Sequence, residues 1–283
     1  MVVSARGNTT DDLEAVLEKS AQKKAYKIAF EIFKKYQLTP NTSIDFYKEL
    51  RIKLKEHKKQ YLYETNLGAG LPLVDTIRLL HEYGENITKI KGVYSGSLSY
   101  LFNTFSEEIR PFSEVLKDAI AQGFTEPDPR EDLGGNDVAR KLLILARELE
   151  LENELVDVDI QNLIPAKLRG GTLTGFLSNL EAMNTEYQQI KAAQKENSVL
   201  RYIGELSGDL SQDTANLEVK LVSVSKDSPL GSLKGSDTIF EIYTESYGEL
   251  PIVIQGAGAG SKVTARGVFW RSIKTGKTER LKK

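Results

Sequence analysis

The chain has 283 residues, 40% of them hydrophobic, which is long enough for one large domain or two modest ones with a substantial core. Its net charge is −2 and its basic residues are dispersed, so the composition argues against a nucleic-acid-binding face and favours a small molecule as partner. Cysteine is absent, which excludes disulfides and thiolate zinc sites; no apolar run reaches the roughly 18–20 residues of a membrane span and no signal-peptide core follows Met1, so we expect a cytoplasmic protein.

The first part of the sequence predicts helices followed by one strand. From Asp11 onward apolar residues recur with helical period, with acids early and lysines late, as the helix dipole favours. Residues 39–43 form a linker in which Ser43 caps a further helix. The run 60–65 is β-prone and predicts a strand, and a glycine loop then separates it from a helix over 74–83.

Two glycine clusters invite comparison with nucleotide-binding loops. Gly68-Ala69-Gly70 lacks the third glycine of the dinucleotide fingerprint, and no βαβ unit with a ribose-binding acid follows it. The second cluster, at 256–260, lies too near the C-terminus to open a Rossmann domain. Both clusters therefore predict loops where the backbone approaches a ligand or another strand, and we expect no complete Rossmann domain.

The middle of the chain predicts a strand, a helix and then a rigid charged loop. Residues 90–95 are β-prone, and a helix begins at Gly96, where its first backbone amides suit a carboxylate. In the stretch 124–141, two prolines precede Gly134 and predict an extended loop. A further helix begins near Asp137, and its apolar residues recur at helical spacing in one stripe: Val138, Leu142, Leu145, Ala146 and Leu149.

The stretch 124–141 has two interpretations. In the structural one, Asn136 or Asp137 caps the helix, and Asp137 and Lys141 form a surface ion pair worth about 0.3–0.5 kcal/mol. In the functional one, the loop binds an ammonium group, because crowded carboxylates raise one another's pKa values unless a cation lies among them. The crowded carboxylates are those of Glu126, Asp128, Glu131, Asp132 and Asp137.

Beyond this helix the sequence predicts mostly strands. Their residues are β-branched or alternate between apolar and polar, and two helices precede them. The predicted fold class is α+β, a mixed β-sheet covered by helices on one face. We expect strands at 200–206, 216–224, 238–244 and 250–255, and helices at 174–182 and 186–197.

Three of these segments resemble the substrate-binding half of homoserine dehydrogenase. They are residues 63–72, residues 95–100 and the charged stretch 124–141, and the resemblance extends over about Thr39 to Phe269 in the family's order and spacing. The sequence is most like the dehydrogenase part of the bifunctional aspartokinase–homoserine dehydrogenases.

The start of the chain is similar to a different part of the same fusions. Residues 2–11 resemble a segment of the kinase domain. The expected domain organisation is therefore a helical aspartokinase-like segment at 1–38, followed by a homoserine dehydrogenase substrate-binding and catalytic domain at 39–283.

The resemblance implies NAD(P)-dependent interconversion of L-homoserine and L-aspartate 4-semialdehyde, in the biosynthesis of threonine and methionine, with NADP or NAD as cofactor. Hydride leaves a carbon only as the hydroxyl proton departs, so a lysine that exchanges protons serves as acid and base. The resemblance assigns that role to Lys141, positioned by Asp137. The substrate-binding residues it implies are Glu126 and Asp132 for the ammonium group, with Gly96 and Ser97 beside the substrate.

The resemblance also implies a monovalent cation, sodium or potassium. Its ligands would be backbone oxygens of Glu64, Leu67, Ala69 and Leu71. We expect a homodimer or higher oligomer, because an exposed sheet needs a partner.

The sequence departs from the family pattern in ways that leave two functions open. The dinucleotide-binding domain and most of the kinase are expected to be missing, and Thr39-Pro40-Asn41 continues without the family's lysines. Phe124 stands where many members carry tyrosine. The chain is therefore either an enzyme whose nucleotide-binding domain comes from a separate polypeptide, or a catalytically inactive truncated remnant that acts only as an oligomerising structural domain.

Overall fold

The computed structural model describes residues 43–57, 63–258, 260 and 262–267, in two compact units that divide between Tyr63 and Glu64. The segment 1–38, which we predict to resemble an aspartokinase segment, and the lysine-rich end lie outside these residues. In the first unit, α1 (Ile44–Glu56) begins after Ser43, whose hydroxyl accepts a hydrogen bond from Phe46 N at 3.3 Å. The predicted Ser43 cap is therefore confirmed.

The second unit is built from a sheet and short helices. Its helices are α2 (Thr65–Gly68), α3 (Leu73–Glu82), α4 (Gly96–Glu107), α5 (Phe112–Ala121), α6 (Arg130–Leu133), α7 (Asn136–Glu148), α8 (Leu173–Ser178) and α9 (Asn184–Ala192). Its strands are β1 (Ile87–Val93), β2 (Val158–Ile160), β3 (Ser198–Ser207), β4 (Asn216–Ser225), β5 (Asp237–Thr244) and β6 (Ile252–Ala257). None of the described helices has the length and apolar character needed to cross a membrane.

The strands form one sheet in the order β2-β4-β3-β1-β5-β6. Every neighbouring pair of these strands is antiparallel except β2 and β4, which are parallel, so the predicted mixed sheet of an α+β fold is confirmed. In the register of β1 and β3, Gly92 lies opposite Gly204. This pair of glycines leaves room for large side chains beside the sheet.

Helices α4 and α7 pack against one face of the sheet. The apolar stripe predicted for α7 faces this core, because leucines and alanines at helical spacing bury their side chains together. All five predicted stripe residues are buried: Val138, Leu142, Leu145, Ala146 and Leu149. The burial of α7 holds its polar first turn at the edge of the core.

A loop over residues 226–236 covers part of the opposite face and also reaches α4. Leu230 and Leu233 pack against β-strand residues in a small buried cluster. The carbonyl of Gly235 accepts hydrogen bonds from Asn103 Nδ2 at 2.8 Å and Ser99 Oγ at 3.3 Å. This loop therefore fixes the helix that follows β1.

The strand predicted at 60–65 is wrong for its described part. Tyr63 has no regular secondary structure, Glu64 lies in a turn, and Thr65 already belongs to α2. The Glu64 carboxylate accepts hydrogen bonds from Val74 N at 2.7 Å and Asp75 N at 3.0 Å. Because Glu64 satisfies amides at the start of α3 that have no partner within the helix, the chain turns here instead of extending.

Candidate functional site

The first part of the candidate site is the start of α4. Ser95 has an extended backbone and its hydroxyl accepts a hydrogen bond from Leu98 N at 3.3 Å, so it caps the helix. Gly96 and Ser97 form the first turn. Ser97 Oγ donates to the carbonyl of Phe124 at 2.5 Å, which brings the charged loop to the helix start.

The second part is the acidic loop itself. The extended backbone predicted for it before Gly134 is wrong over Arg130–Leu133, which form the short helix α6. The backbone N–H of Glu126 donates to Asp132 Oδ2 at 2.8 Å, so the two predicted ammonium-binding residues are neighbours. Burial raises the pKa of Asp132, and the negative charges of Glu126 and Asp137 raise it further, although hydrogen bonds from Glu126 N and Ser97 act in the opposite direction. The site thus contains a carboxyl group that a bound cation would help to ionise.

Asp128 differs from the other carboxylates because Arg130 holds it. Arg130 Nε lies 2.9 Å from Asp128 Oδ1 and Arg130 Nη2 lies 2.6 Å from Asp128 Oδ2, a bidentate pair. These hydrogen bonds lower the pKa of Asp128. Arg130 Nη1 also donates to the carbonyl of Gly171 at 3.0 Å, which ties the loop to the segment before α8. Asp128 is therefore a structural member of the cluster.

The opposite pKa shifts predict opposite pH effects for two substitutions. A carboxyl group whose pKa is raised in the folded state lowers the free energy of unfolding as the pH increases from its unfolded pKa to its folded pKa. The stability of Asp132→Asn relative to the original chain should therefore increase from about pH 3 to about pH 7. Asp128 has a lowered pKa, and its contribution is lost as pH falls, so Asp128→Asn should lose relative stability over the same rise. Urea unfolding at both pH values measures the differences. Changes of the same sign in both variants would contradict the assignment.

The start of α7 corrects one prediction. Neither Asn136 nor Asp137 caps the helix; the capping position is Gly135, which has φ +77° and makes no side-chain cap. A Cβ at Gly135 would lie 2.1 Å from Tyr202 Oη, so only glycine fits there. The close approach of Gly135 to Tyr202 in β3 determines where the helix begins. The local sequence around Asn136 does not predict this contact.

The ion pair predicted from the sequence exists and has a further contact. Lys141 Nζ lies 2.8 Å from Asp137 Oδ2 and also donates to the carbonyl of Tyr94 at 3.1 Å. The Lys141 side chain is 20% exposed and that of Asp137 is 60% exposed, so the lysine is mostly shielded from water while its partner is exposed to it. The pair is therefore more than a solvated surface contact.

The four residues predicted to bind a cation lie in the short helix α2 and at its two ends. Glu64, Leu67 and Ala69 are buried, and Ala69 has a positive φ of +53° that turns the chain sharply after α2. The Glu64 carbonyl accepts a hydrogen bond from Leu67 N at 3.2 Å. Among the described residues no cluster of three or more His, Asp or Glu side chains could hold a metal. Backbone oxygens, including that of Leu71, are hard donors that suit sodium or potassium.

The glycine clusters do not form a dinucleotide site in the described part of the chain. Gly70 follows a helical turn and packs against Val263, because a Cβ on Gly70 would lie 3.0 Å from Val263 O. The second cluster begins within β6, because Gly256 and Ala257 are the last residues of that strand, which is antiparallel to β5. The loop predicted for the whole cluster is therefore wrong for these two residues. Neither loop connects a parallel strand to a helix as a pyrophosphate site requires. These two loops therefore do not supply the pyrophosphate site of a dinucleotide-binding fold.

Sequence reasoning missed several residues of this site. Tyr94 and Phe124 contribute through backbone carbonyls, and Arg130 acts by occupying Asp128. Every residue has a backbone carbonyl, so the sequence does not show which carbonyl contacts a side chain. Only Arg130, which lies two residues after Asp128, could have been predicted from the sequence.

Comparisons with known proteins identify the family and agree with the fold. The homoserine dehydrogenase family profile matches residues 72–270. A bifunctional aspartokinase/homoserine dehydrogenase 2 of Zea mays, described as chloroplastic, is 41% identical over 241 residues, which are 82% of this chain and 26% of that protein. A homoserine dehydrogenase of Emericella nidulans is 41% identical over 249 residues, which are 82% of this chain and 66% of that protein.

A solved structure supports the same assignment at the level of the fold. It is a hyperthermophilic archaeal homoserine dehydrogenase in complex with NADPH, with a TM-score of 0.60 and 24% identity, covering 81% of this chain and 59% of that one. The chain spans 26% of the length of the Zea mays relative, about a quarter of it. Because the family profile covers more than half of its residues, the chain belongs to the homoserine dehydrogenase family.

Proposed function

We propose that this chain provides the substrate half of an NAD(P)-dependent homoserine dehydrogenase. The reaction is the interconversion of L-homoserine and L-aspartate 4-semialdehyde, in the biosynthesis of threonine and methionine. Three contacts bring the acidic loop and the Asp137–Lys141 pair to the start of α4, and they carry the proposal. Ser97 donates to the carbonyl of Phe124, the amide of Glu126 donates to Asp132, and Lys141 binds the carbonyl of Tyr94, which directly precedes the cap of α4. Family membership supplies the reaction, and this cluster supplies the residues.

The acidic loop and the start of α4 suit the two charged ends of an amino acid. Glu126 and Asp132 would bind the ammonium group, and that cation would offset the charge repulsion that raises the pKa of Asp132. Gly96 and Ser97 lie in the first turn of α4, where backbone amides favour a carboxylate. An amino acid bound in this way presents its side-chain hydroxyl to the remaining group, Lys141.

Lys141 is proposed as the acid and base. During oxidation the neutral amine form of Lys141 would accept the hydroxyl proton of homoserine while the same carbon loses its hydride to the oxidised nicotinamide. In the reverse direction the Lys141 ammonium would return the proton to the aldehyde oxygen. The Asp137 carboxylate and the Tyr94 carbonyl hold the ammonium group in place. Because the two glycine clusters form no pyrophosphate site, we place the cofactor, NADP or NAD, on a nucleotide-binding domain supplied by a separate polypeptide. The complex of the archaeal homoserine dehydrogenase with NADPH supports a nicotinamide dinucleotide as the cofactor.

The proposal also includes sodium or potassium on the backbone oxygens of Glu64, Leu67, Ala69 and Leu71. It includes a homodimer or higher oligomer, because β6 is an edge strand that pairs with β5 on one side and with no other strand of the described residues. Sedimentation that gave a clean monomer would remove the oligomer from the proposal. The cytoplasmic location stays a prediction.

The second candidate is a catalytically inactive remnant that acts as an oligomerising structural domain. The absence of a pyrophosphate cradle from the described residues favours it. The two candidates differ in one respect: the enzyme recovers turnover when a nucleotide-binding domain is supplied, and the remnant does not.

A turnover assay separates these candidates. We expect the purified chain with homoserine and NADP alone to give no rise in absorbance at the reduced-nicotinamide band. Addition of a dinucleotide-binding domain from a family member, as a separate polypeptide, is expected to restore the rise, since the substrate half is intact. The added domain without this chain is the control. No rise in the complete mixture, under conditions where a full-length relative is active, would favour the remnant.

A further inference from the structure

Tyr94 links the sheet to the proposed acid and base. It follows β1 directly and precedes Ser95, the cap of α4. The residue is only 1% exposed, and its carbonyl accepts the hydrogen bond from Lys141 Nζ at 3.1 Å. The position of that carbonyl therefore depends on how the Tyr94 side chain is held in the core.

The ring of Tyr94 is wedged between the sheet and the first turn of α7. It meets the Phe240 ring edge to face, with centroids 5.0 Å apart. A Cβ added to Gly204 would lie 2.9 Å from Tyr94 Cε2 and 3.3 Å from Val138 Cγ1. Gly204 therefore leaves the space that the ring fills, and Val138, next to Asp137 in α7, borders the same space.

We propose that Tyr94 is a positioning residue for Lys141. Its buried ring fixes the carbonyl that receives the Lys141 ammonium group and also sets the separation between the sheet and the turn of α7 that carries Asp137. One side chain thereby determines both contacts of Lys141. This inference rests on the role of Lys141 in the proposed function.

The hydroxyl of Tyr94 is not part of this role. In the part of the chain that the structure describes, Tyr94 Oη is buried and no protein group lies within hydrogen-bonding distance. The ring and the carbonyl remain in Tyr94→Phe, whereas Tyr94→Leu removes the ring. The two variants therefore separate positioning by packing from any action of the phenol.

The test measures the reactivity of Lys141 in the full chain, without substrate or nucleotide. Trace labelling with acetic anhydride, followed by mass spectrometry, gives the acetylation rate of Lys141 relative to the exposed Lys167. Tyr94→Leu should raise this ratio about fivefold, because a hydrogen bond that restrains the amine is weakened. Tyr94→Phe should leave the ratio unchanged and should not lower the melting temperature.

Phe102→Leu is the matched control, because it also removes a buried ring from the core but one that packs on Phe112 and Tyr187 instead. It should leave the Lys141 ratio unchanged although it destabilises the fold. If Tyr94→Leu does not fold, Gly204→Ala decides, since its Cβ displaces the Tyr94 ring and should raise the ratio as well. An unchanged ratio in the folded variant, or an equal rise in Tyr94→Phe, would overturn the proposal.

The labelling result and the turnover assay fail independently. Lys141 can be held by Tyr94 in a chain that never turns over homoserine, and the labelling ratio would then still respond to Tyr94→Leu. An active chain whose Lys141 ratio ignores Tyr94 would leave the proposed function standing and remove only the positioning role.

Discussion

Replacement of Lys141 with alanine is expected to lower kcat for homoserine oxidation by roughly 100- to 10,000-fold, the usual contribution of a general acid or base. The assay is the complete mixture with a nucleotide-binding domain. Lys141 is the amine that the Asp137 carboxylate and the Tyr94 carbonyl hold together. In the variant, no lysine of the described residues contacts both of these groups, so the hydroxyl proton of homoserine has no positioned acceptor.

Two further variants define what Lys141 contributes. Lys141→Arg keeps the positive charge, but a guanidinium does not release its proton at neutral pH, so kcat should stay low if proton transfer matters. Lys167→Ala removes an exposed lysine and should leave kcat near its original value. Near-normal kcat in Lys141→Ala would exclude Lys141 from the mechanism.

Replacement of Gly135 with alanine is expected to reduce the free energy of unfolding by about 2–5 kcal/mol, through a left-handed backbone and an overpacked contact together. Gly135 has φ +77°, and the new Cβ would lie 2.1 Å from Tyr202 Oη and 2.9 Å from Ile160 Cγ2. The hydrogen bond from Tyr202 Oη to the carbonyl of Gln161, now 2.7 Å, would be displaced as well. Urea unfolding measures the loss.

Gly123→Ala is the matched control for this prediction. Gly123 also has a positive φ, +71°, but nothing lies within 4 Å of its Cβ position. Alanine there should cost only about 1–2 kcal/mol, the strain of the left-handed backbone alone. Equal losses at the two positions would show that the contact with Tyr202 carries no extra energy, and would weaken the view that β3 fixes the start of α7.

Local pattern predicted much of the fold. Strong β-propensity marked the strands that became β3, β4 and β5, and helical spacing marked α7, because burying one face imposes its period on the sequence. The short strand β2 and the helix α5 were not predicted. Strand β2 has three residues and exists through its parallel pairing with β4, a partner far away in sequence. A segment that short carries no period of its own.

The sequence by itself determined the family, the α+β class and the identity of the charged residues, since side-chain types and their spacing are written in it. Only the tertiary structure decided how those residues are used. Glu64 caps α3 instead of extending a strand, Arg130 occupies Asp128, and Lys141 reaches the carbonyl of Tyr94. Each of these contacts joins a side chain to a group whose position the folded backbone sets. Backbone amides and carbonyls are the same at every residue apart from the missing N–H of proline, so which of them meets a given side chain is fixed only when the chain folds.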